Sequence, residues 1–161
     1  MPTDDTPAAD LSLATDLLGR IDYGRVAASM RALPFLMPAR HIVSDGRVLL
    51  RMHARHGYPQ ACEGQIVAYG ADSLGPDGLG PDHSTDTAPT RPDTPGGQWS
   101  VQIVGTCEAA RPTPAELDRM GPAPLAVDGE PYAPVYLRVT PQFATVHSMD
   151  GGLRERFGQL G

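Results

Sequence analysis

The chain contains no lysine; all 13 of its basic residues are arginine. That absence removes Schiff-base catalysis, the Walker P-loop lysine and the Ser-Lys dyad from consideration. Cysteine is almost as scarce. Cys62 and Cys107 stand far apart with no CxxC and no metal-ligand spacing, so free buried thiols in a reducing compartment are expected rather than a disulfide. No apolar run is long enough to span a bilayer. The opening MPTDDTPAADLS is acidic and polar, unlike a secretory signal. A cytoplasmic protein without a membrane partner is therefore expected. A formal net charge of −6 argues against a nucleic-acid partner, which would need a basic face. A serine hydrolase is not indicated either, since there is no G-x-S-x-G and no serine with an evident base.

What is present suffices for one domain over 1–161. The 161 residues, 40% of them hydrophobic, can bury a real core without staples. DLSLATDLLG at 10–19 reads as an amphipathic helix capped by Asp10 and ended by Gly19. Strands are expected at 22–30, 35–43, 47–53, 65–70, 99–110, 134–140 and 143–148, with a loop around Pro34. Ser44-Asp45-Gly46 predicts a hairpin between 35–43 and 47–53. Short helices are expected at 58–63, led by Pro59, and at 114–120, where Thr113-Pro-Ala-Glu116 forms a capping box. Residues 73–98 hold five prolines and five glycines and no aromatic until Trp99, a composition that predicts a flexible insertion. A loose tail is expected from 150. The predicted fold is mainly β with short helices, six or so strands forming a small antiparallel barrel plugged at its ends.

The stretch LLRMHARHGYPQACEG, 49–64, raises the functional question. On a strand, Arg51, His53 and Arg55 share a face, and like-signed groups repel unless an anion lies between them. A phosphomonoester suits arginine's planar fork; the other reading is a solvated charged strand end. The hairpin brings Arg40 and His41 beside Leu49–Met52, with Met37 and Met52 supplying apolar contact. Zinc on His53, His56 and Cys62 or His41 matches no established spacing, and arginines beside a cation would be unfavourable, so no metal is expected.

The runs DYGRVAASM…PFLMPARHIVSDGRVLLRMHA and WSVQIVGTCEAARPTPAELDRM resemble the flavin-binding split-barrel superfamily, closest to its small pyridoxamine 5′-phosphate oxidase-related members of actinobacteria. The resemblance covers about 10–71 and 99–148. It implies a six-stranded split barrel forming a homodimer, with FMN bound at the subunit interface. The flavin phosphate would be held by Arg51, His53, Arg55 and His56, with Met52 lining the cofactor site. The isoalloxazine edge would meet Pro38, Ala39, Arg40 and His41, and Trp99 and Gln102 would reach in from the partner copy. Many relatives carry a lysine in the phosphate loop, where this chain has Gly57-Tyr58-Pro59-Gln60. It also lacks the arginine-and-histidine substrate signature of true pyridoxamine phosphate oxidases. The implied function is an FMN-dependent oxidoreductase acting on an unidentified small molecule, with His41 or His53 as candidate catalytic residues. The alternatives are an F420-dependent reductase on the same fold, or a haem- or flavin-binding carrier or sensor using His53, His56 or His147.

Overall fold

The computed structural model describes residues 6–73 and 98–148. Almost all of the predicted insertion and the predicted tail lie outside the described residues. Six strands close into an antiparallel barrel: β1 (Tyr23–Met30), β2 (Leu33–Ser44), β3 (Arg47–His53), β4 (Ile66–Asp72), β5 (Trp99–Ala109) and β8 (Pro134–Ser148). Around the wall the order is β1-β2-β3-β8-β5-β4, with β4 returning to pair with β1. Helix α1 (Thr6–Leu18) precedes the barrel, α2 (Tyr58–Ala61) follows β3, and α3 (Pro114–Met120) follows β5. Between α3 and β8 a small hairpin joins β6 (Ala126–Val127) to β7 (Glu130–Pro131).

Two tight turns set the register. Asp45 and Gly46 both take left-handed backbone (φ 52° and 71°), the twist that matches a two-residue hairpin, and Ser44 pairs with Arg47. The turn before it falls at Arg31-Ala32, also left-handed (φ 52° and 63°), and Met30 pairs with Leu33. The loop expected around Pro34 is therefore part of β2. Pro34 fits because its neighbour Ser29 lies at the end of the ladder, where a missing N–H costs little.

The two closing strands expected at 134–140 and 143–148 are one continuous strand. Register slips between Val104 and Gly105, so that Pro141 and Phe143 pair with consecutive residues of β5. Such a bulge bends a strand without ending it, and Pro141-Gln142 mimics a break in the sequence. A Cβ on Gly105 would collide with the Thr140 carbonyl, so the crossing requires glycine. Helix α1 also begins earlier than expected, at Thr6 rather than at Asp10.

Side chains alternate across the wall. Val26, Val48, Leu50, Met52, Val67, Tyr69, Val101, Ile103, Leu137 and Val139 fill the interior. Ala14, Leu17 and Leu18 of α1 and Cys62 after α2 join that core. A smaller cluster of Ile42, Leu49 and Met120 seats α3 on the outside of β2 and β3. Cys62 and Cys107 are free and buried. Burial raises both thiols, Cys107 to about 12, which keeps them protonated and unreactive. Among the described residues no helix is long and apolar enough to cross a membrane.

Candidate functional site

Because β2 and β3 alternate, the predicted site residues fall on opposite sides of the barrel wall. Ala39, His41 and Met52 point inward and are buried. His41 is 1% exposed; its Nε2 lies 2.8 Å from the Leu18 carbonyl and its Nδ1 meets the Tyr69 hydroxyl. Since a carbonyl only accepts, Nε2 carries the proton and Nδ1 accepts from Tyr69. Burial lowers the pKa of His41, with Arg40 adding to the effect, and raises that of Tyr69. The pair is a neutral polar link fastening α1 to the barrel interior. Trp99 is also interior, 5% exposed, and its backbone N–H donates to Ser73 Oγ. Trp99, which the resemblance had reaching in from a partner copy, faces the core of its own barrel together with Val101 and Ile103.

Outside the wall, Arg40 and Arg51 are cross-strand partners. Arg51 is 4% exposed and donates from Nη1 to the Gly121 carbonyl at 2.8 Å and from Nη2 to the Pro122 carbonyl at 3.3 Å. Arg40 donates to the carbonyls of Asp22, His41 and Arg119 and pairs with the Asp22 carboxylate at 3.3 Å. The two guanidinium groups thus converge on carbonyls at and just beyond the C-terminal end of α3, where helix carbonyls are unsatisfied and carry partial negative charge. This accounts for much of the positive charge on the 40–56 hairpin. Arg119 completes the clamp by donating to the Val43 carbonyl at 2.7 Å.

Two donors on this face remain unsatisfied. Arg51 Nε and His53 Nε2 are buried, with no hydrogen-bond partner among the described residues. The His53 ring stacks on Tyr132 with centroids 5.3 Å apart, and its Nδ1 accepts from the Ala133 N–H at 3.0 Å. The Nε2 must therefore bear the proton in the neutral ring. Burial raises the Tyr132 phenol, and nearby Arg51 opposes that shift. After β3 the chain turns tightly through Arg55–Gly57, with His56 and Gly57 in left-handed backbone (φ 60° and 71°). His56 is exposed; the Arg55 side chain lies outside the described residues.

A second feature was not expected from the sequence. On the outer face of β1, β4 and β5 a shallow groove of about 250 Å³ is floored by Ala27, Ala68 and Gly70. Arg25, Asp72, Ser100 and Gln102 give it a polar side. The register places Arg25 opposite Gly70 and Gly70 opposite Gln102, so absent side chains make the trough. Exposed apolar residues lie on the same face: Leu36 (60%), Ile66 (62%) and Phe143 (50%). The signal was the small outward positions in GRVAA and VAYGA, hidden because small residues read equally well as neutral filler. No group of three or more potential metal ligands occurs among the described residues.

No protein-family model matches the chain. One curated relative, the uncharacterized protein Rv0080 of Mycobacterium tuberculosis, is 40% identical over 72 residues, 42% of this chain and 47% of the relative. The chain thus spans about half the length of that relative. Among solved structures, the FAD binding protein of Mycobacterium smegmatis aligns over 84% of this chain and 93% of its own, with a TM-score of 0.54 and 21% identity. A protein of Corynebacterium glutamicum provisionally named pyridoxamine 5′-phosphate oxidase aligns over 84% and 87%, with a TM-score of 0.53 and 20% identity. The likeness to both structures is one of fold, a closed six-stranded antiparallel barrel.

Proposed function

We propose that this split barrel binds a flavin, FMN in the first place, and serves as a flavin-dependent oxidoreductase toward a small molecule in the cytoplasm. The observation that carries the reading is the pair of buried, unpartnered donors, Arg51 Nε–H and His53 Nε2–H, two residues apart on the outer face of β3. A buried donor without an acceptor costs about 1–3 kcal/mol, and a phosphate oxygen would remove that cost for both. The resemblance assigns the flavin phosphate to this strand end. The turn at Arg55–Gly57 would add further N–H and cationic groups, Arg55 and His56 among them.

The donors suit the phosphate, and the groove suits the ring. A flat trough floored by Ala27, Ala68 and Gly70 matches a planar aromatic system, and Arg25, Ser100 and Gln102 offer hydrogen bonds to its polar edge. Pro38, exposed opposite Arg25, extends that wall. Yet β3 and β4 lie three strands apart in either direction around the barrel. One flavin touches both places only if each comes from a different copy of the chain. The reading therefore includes a homodimer with two shared sites. When bound, the flavin supplies the hydride chemistry; the chain's part is to hold the phosphate, orient the ring and exclude water.

A visible spectrum of the purified protein tests the cofactor, since bound flavin, F420 and haem absorb differently. Fluorescence titration then tests the site. Wild type should bind FMN more tightly than riboflavin, and His53→Ala should weaken FMN about tenfold while leaving riboflavin unchanged. Equal losses for both ligands would remove the phosphate from this strand. An F420 or haem spectrum, or no binding of either flavin, would overturn the reading.

A further inference from the structure

The segment Pro122–Ala133, which contains the β6–β7 hairpin, crosses the outside of the barrel as a strap tied at both ends to β3. Arg51 holds its first root through the carbonyls of Gly121 and Pro122. At the second root, Ala54 N–H donates to the Ala133 carbonyl at 2.8 Å, Ala133 N–H donates to His53 Nδ1 at 3.0 Å, and Tyr132 stacks on the His53 ring. Within the strap, Tyr132 N–H donates to the Leu125 carbonyl at 3.1 Å.

One of these ties depends on protonation. His53 Nδ1 accepts from Ala133 only while the imidazole is neutral, because both nitrogens of the cation are donors. Charging the ring sets N–H against N–H at the second root. The titratable and charged groups around this root are Arg51 on the same strand, Tyr132 from the strap, and Tyr136 of β8 and Tyr23 of β1, which share Tyr132's surroundings. The other face of the ring, at Nε2, is the donor left without a partner.

We propose that His53 is a protonation-operated latch: neutral, it pins the 122–133 strap over the Arg51 and His53 donors; charged, it releases the strap and opens that pocket. The use of the latch, admission of a phosphate-bearing ligand, rests on the flavin reading above, but the latch itself rests only on the Ala133–His53–Tyr132 geometry.

The test uses the ligand-free full chain, so it succeeds or fails independently of flavin binding. Amide exchange by NMR is followed at Ala133 and Tyr132 and normalised to the core amide of Ile103, as the pH is lowered from about 7.5 to about 5.5. Loss of the latch bond should lower the protection of the two strap amides about fivefold relative to Ile103. Nitrogen shifts of the His53 ring should show Nδ1 unprotonated at the upper pH. In His53→Phe, which keeps a ring against Tyr132 but has no acceptor, the strap should be loose at both pH values and indifferent to the change. A flat protection ratio in wild type, or a protonated Nδ1 at the upper pH, would overturn the proposal without need of the variant. So would a His53→Phe chain that follows the wild-type pH course.

Discussion

Gly24 shows how closely single residues are fixed in this barrel. A Cβ there would stand 2.5 Å from the Tyr69 hydroxyl and 2.6 Å from the Gly70 carbonyl. The hydroxyl cannot retreat freely, because it is the partner of buried His41, which in turn holds Leu18 of α1. Gly24→Ala is expected to cost about 1–3 kcal/mol and to lower the midpoint of thermal unfolding by several degrees, read by calorimetry; an unchanged midpoint would contradict the packing described. At this scale the sequence told which residues share a face but not which way the face looks. Arg51 and His53 do lie on one side, as alternation required. Trp99, Val101 and Ile103 also lie on one side, and it is the interior, since closure of the sheet turns the larger apolar set inward. His41 was a candidate beside the flavin edge and instead sits across the wall. One residue of register separates the two outcomes, and the partner that decides it, Leu18, lies 23 positions away.

Helix α3 is the element that shapes the outer site, and it is only seven residues long. Propensity cannot hold so short a helix; its ends and its tertiary ties do. The capping box expected from Thr113 and Glu116 forms, with Glu116 N–H to Thr113 Oγ1 at 3.1 Å and Thr113 N–H to Glu116 Oε1 at 3.0 Å. The same carboxylate takes a two-pronged bond from Arg138 of β8 at 3.1 and 3.2 Å. Chiefly through Arg138, its pKa falls from 4.5 to about 2. The unfolded carboxyl thus binds its proton at a higher pH than the folded one. The stabilisation from Glu116 is complete above about pH 4.5 and is lost as the pH falls toward 2. Glu116→Gln should remove that part of the acid slope and lower stability at neutral pH by about 3 kcal/mol, checked by urea unfolding at stepped pH. A variant that keeps the full acid slope would show that other carboxylates set it. The box was legible because its four positions are local. The clamp by Arg40 and Arg51 was not, because Gly121 is 70 residues from Arg51. A cluster that reads as a site for an outside anion has backbone carbonyls from its own chain as its first partners. What the anion reading retains is the remainder, one Nε and one imidazole nitrogen.

For the whole molecule, the barrel's closure leaves the outer face of β2, β1, β4 and β5 with small and apolar residues and, among the described residues, no helix over it, whereas α3 covers the outside of β2 and β3 near Ile42 and Leu49. Seven strands were read from alternation and turn residues, and the last two are the halves of β8. The ring order β1-β2-β3-β8-β5-β4 was not readable, since nothing local tells β8 to pair with both β3 and β5. That order matters for function because it separates the donor pair from the groove. If each flavin spans two copies, breaking the dimer must abolish binding even when both half-sites stay intact within each chain. Phe143 is half exposed at the edge of this face, opposite Val104 on β5, and belongs to neither half-site. Phe143→Asp should change the stability of the isolated barrel little, as expected for an exposed position, while placing an unpaired charge in any self-contact. Sedimentation should then show wild type as a dimer at micromolar concentration and the variant as a monomer with unchanged fluorescence from its single, buried Trp99. FMN affinity should fall with the dimer and return as protein concentration is raised, because only the second copy is missing. A wild-type monomer that binds flavin, or a monomeric variant that binds it at full strength, would mean that one barrel builds the whole site, and the groove would then belong to another ligand.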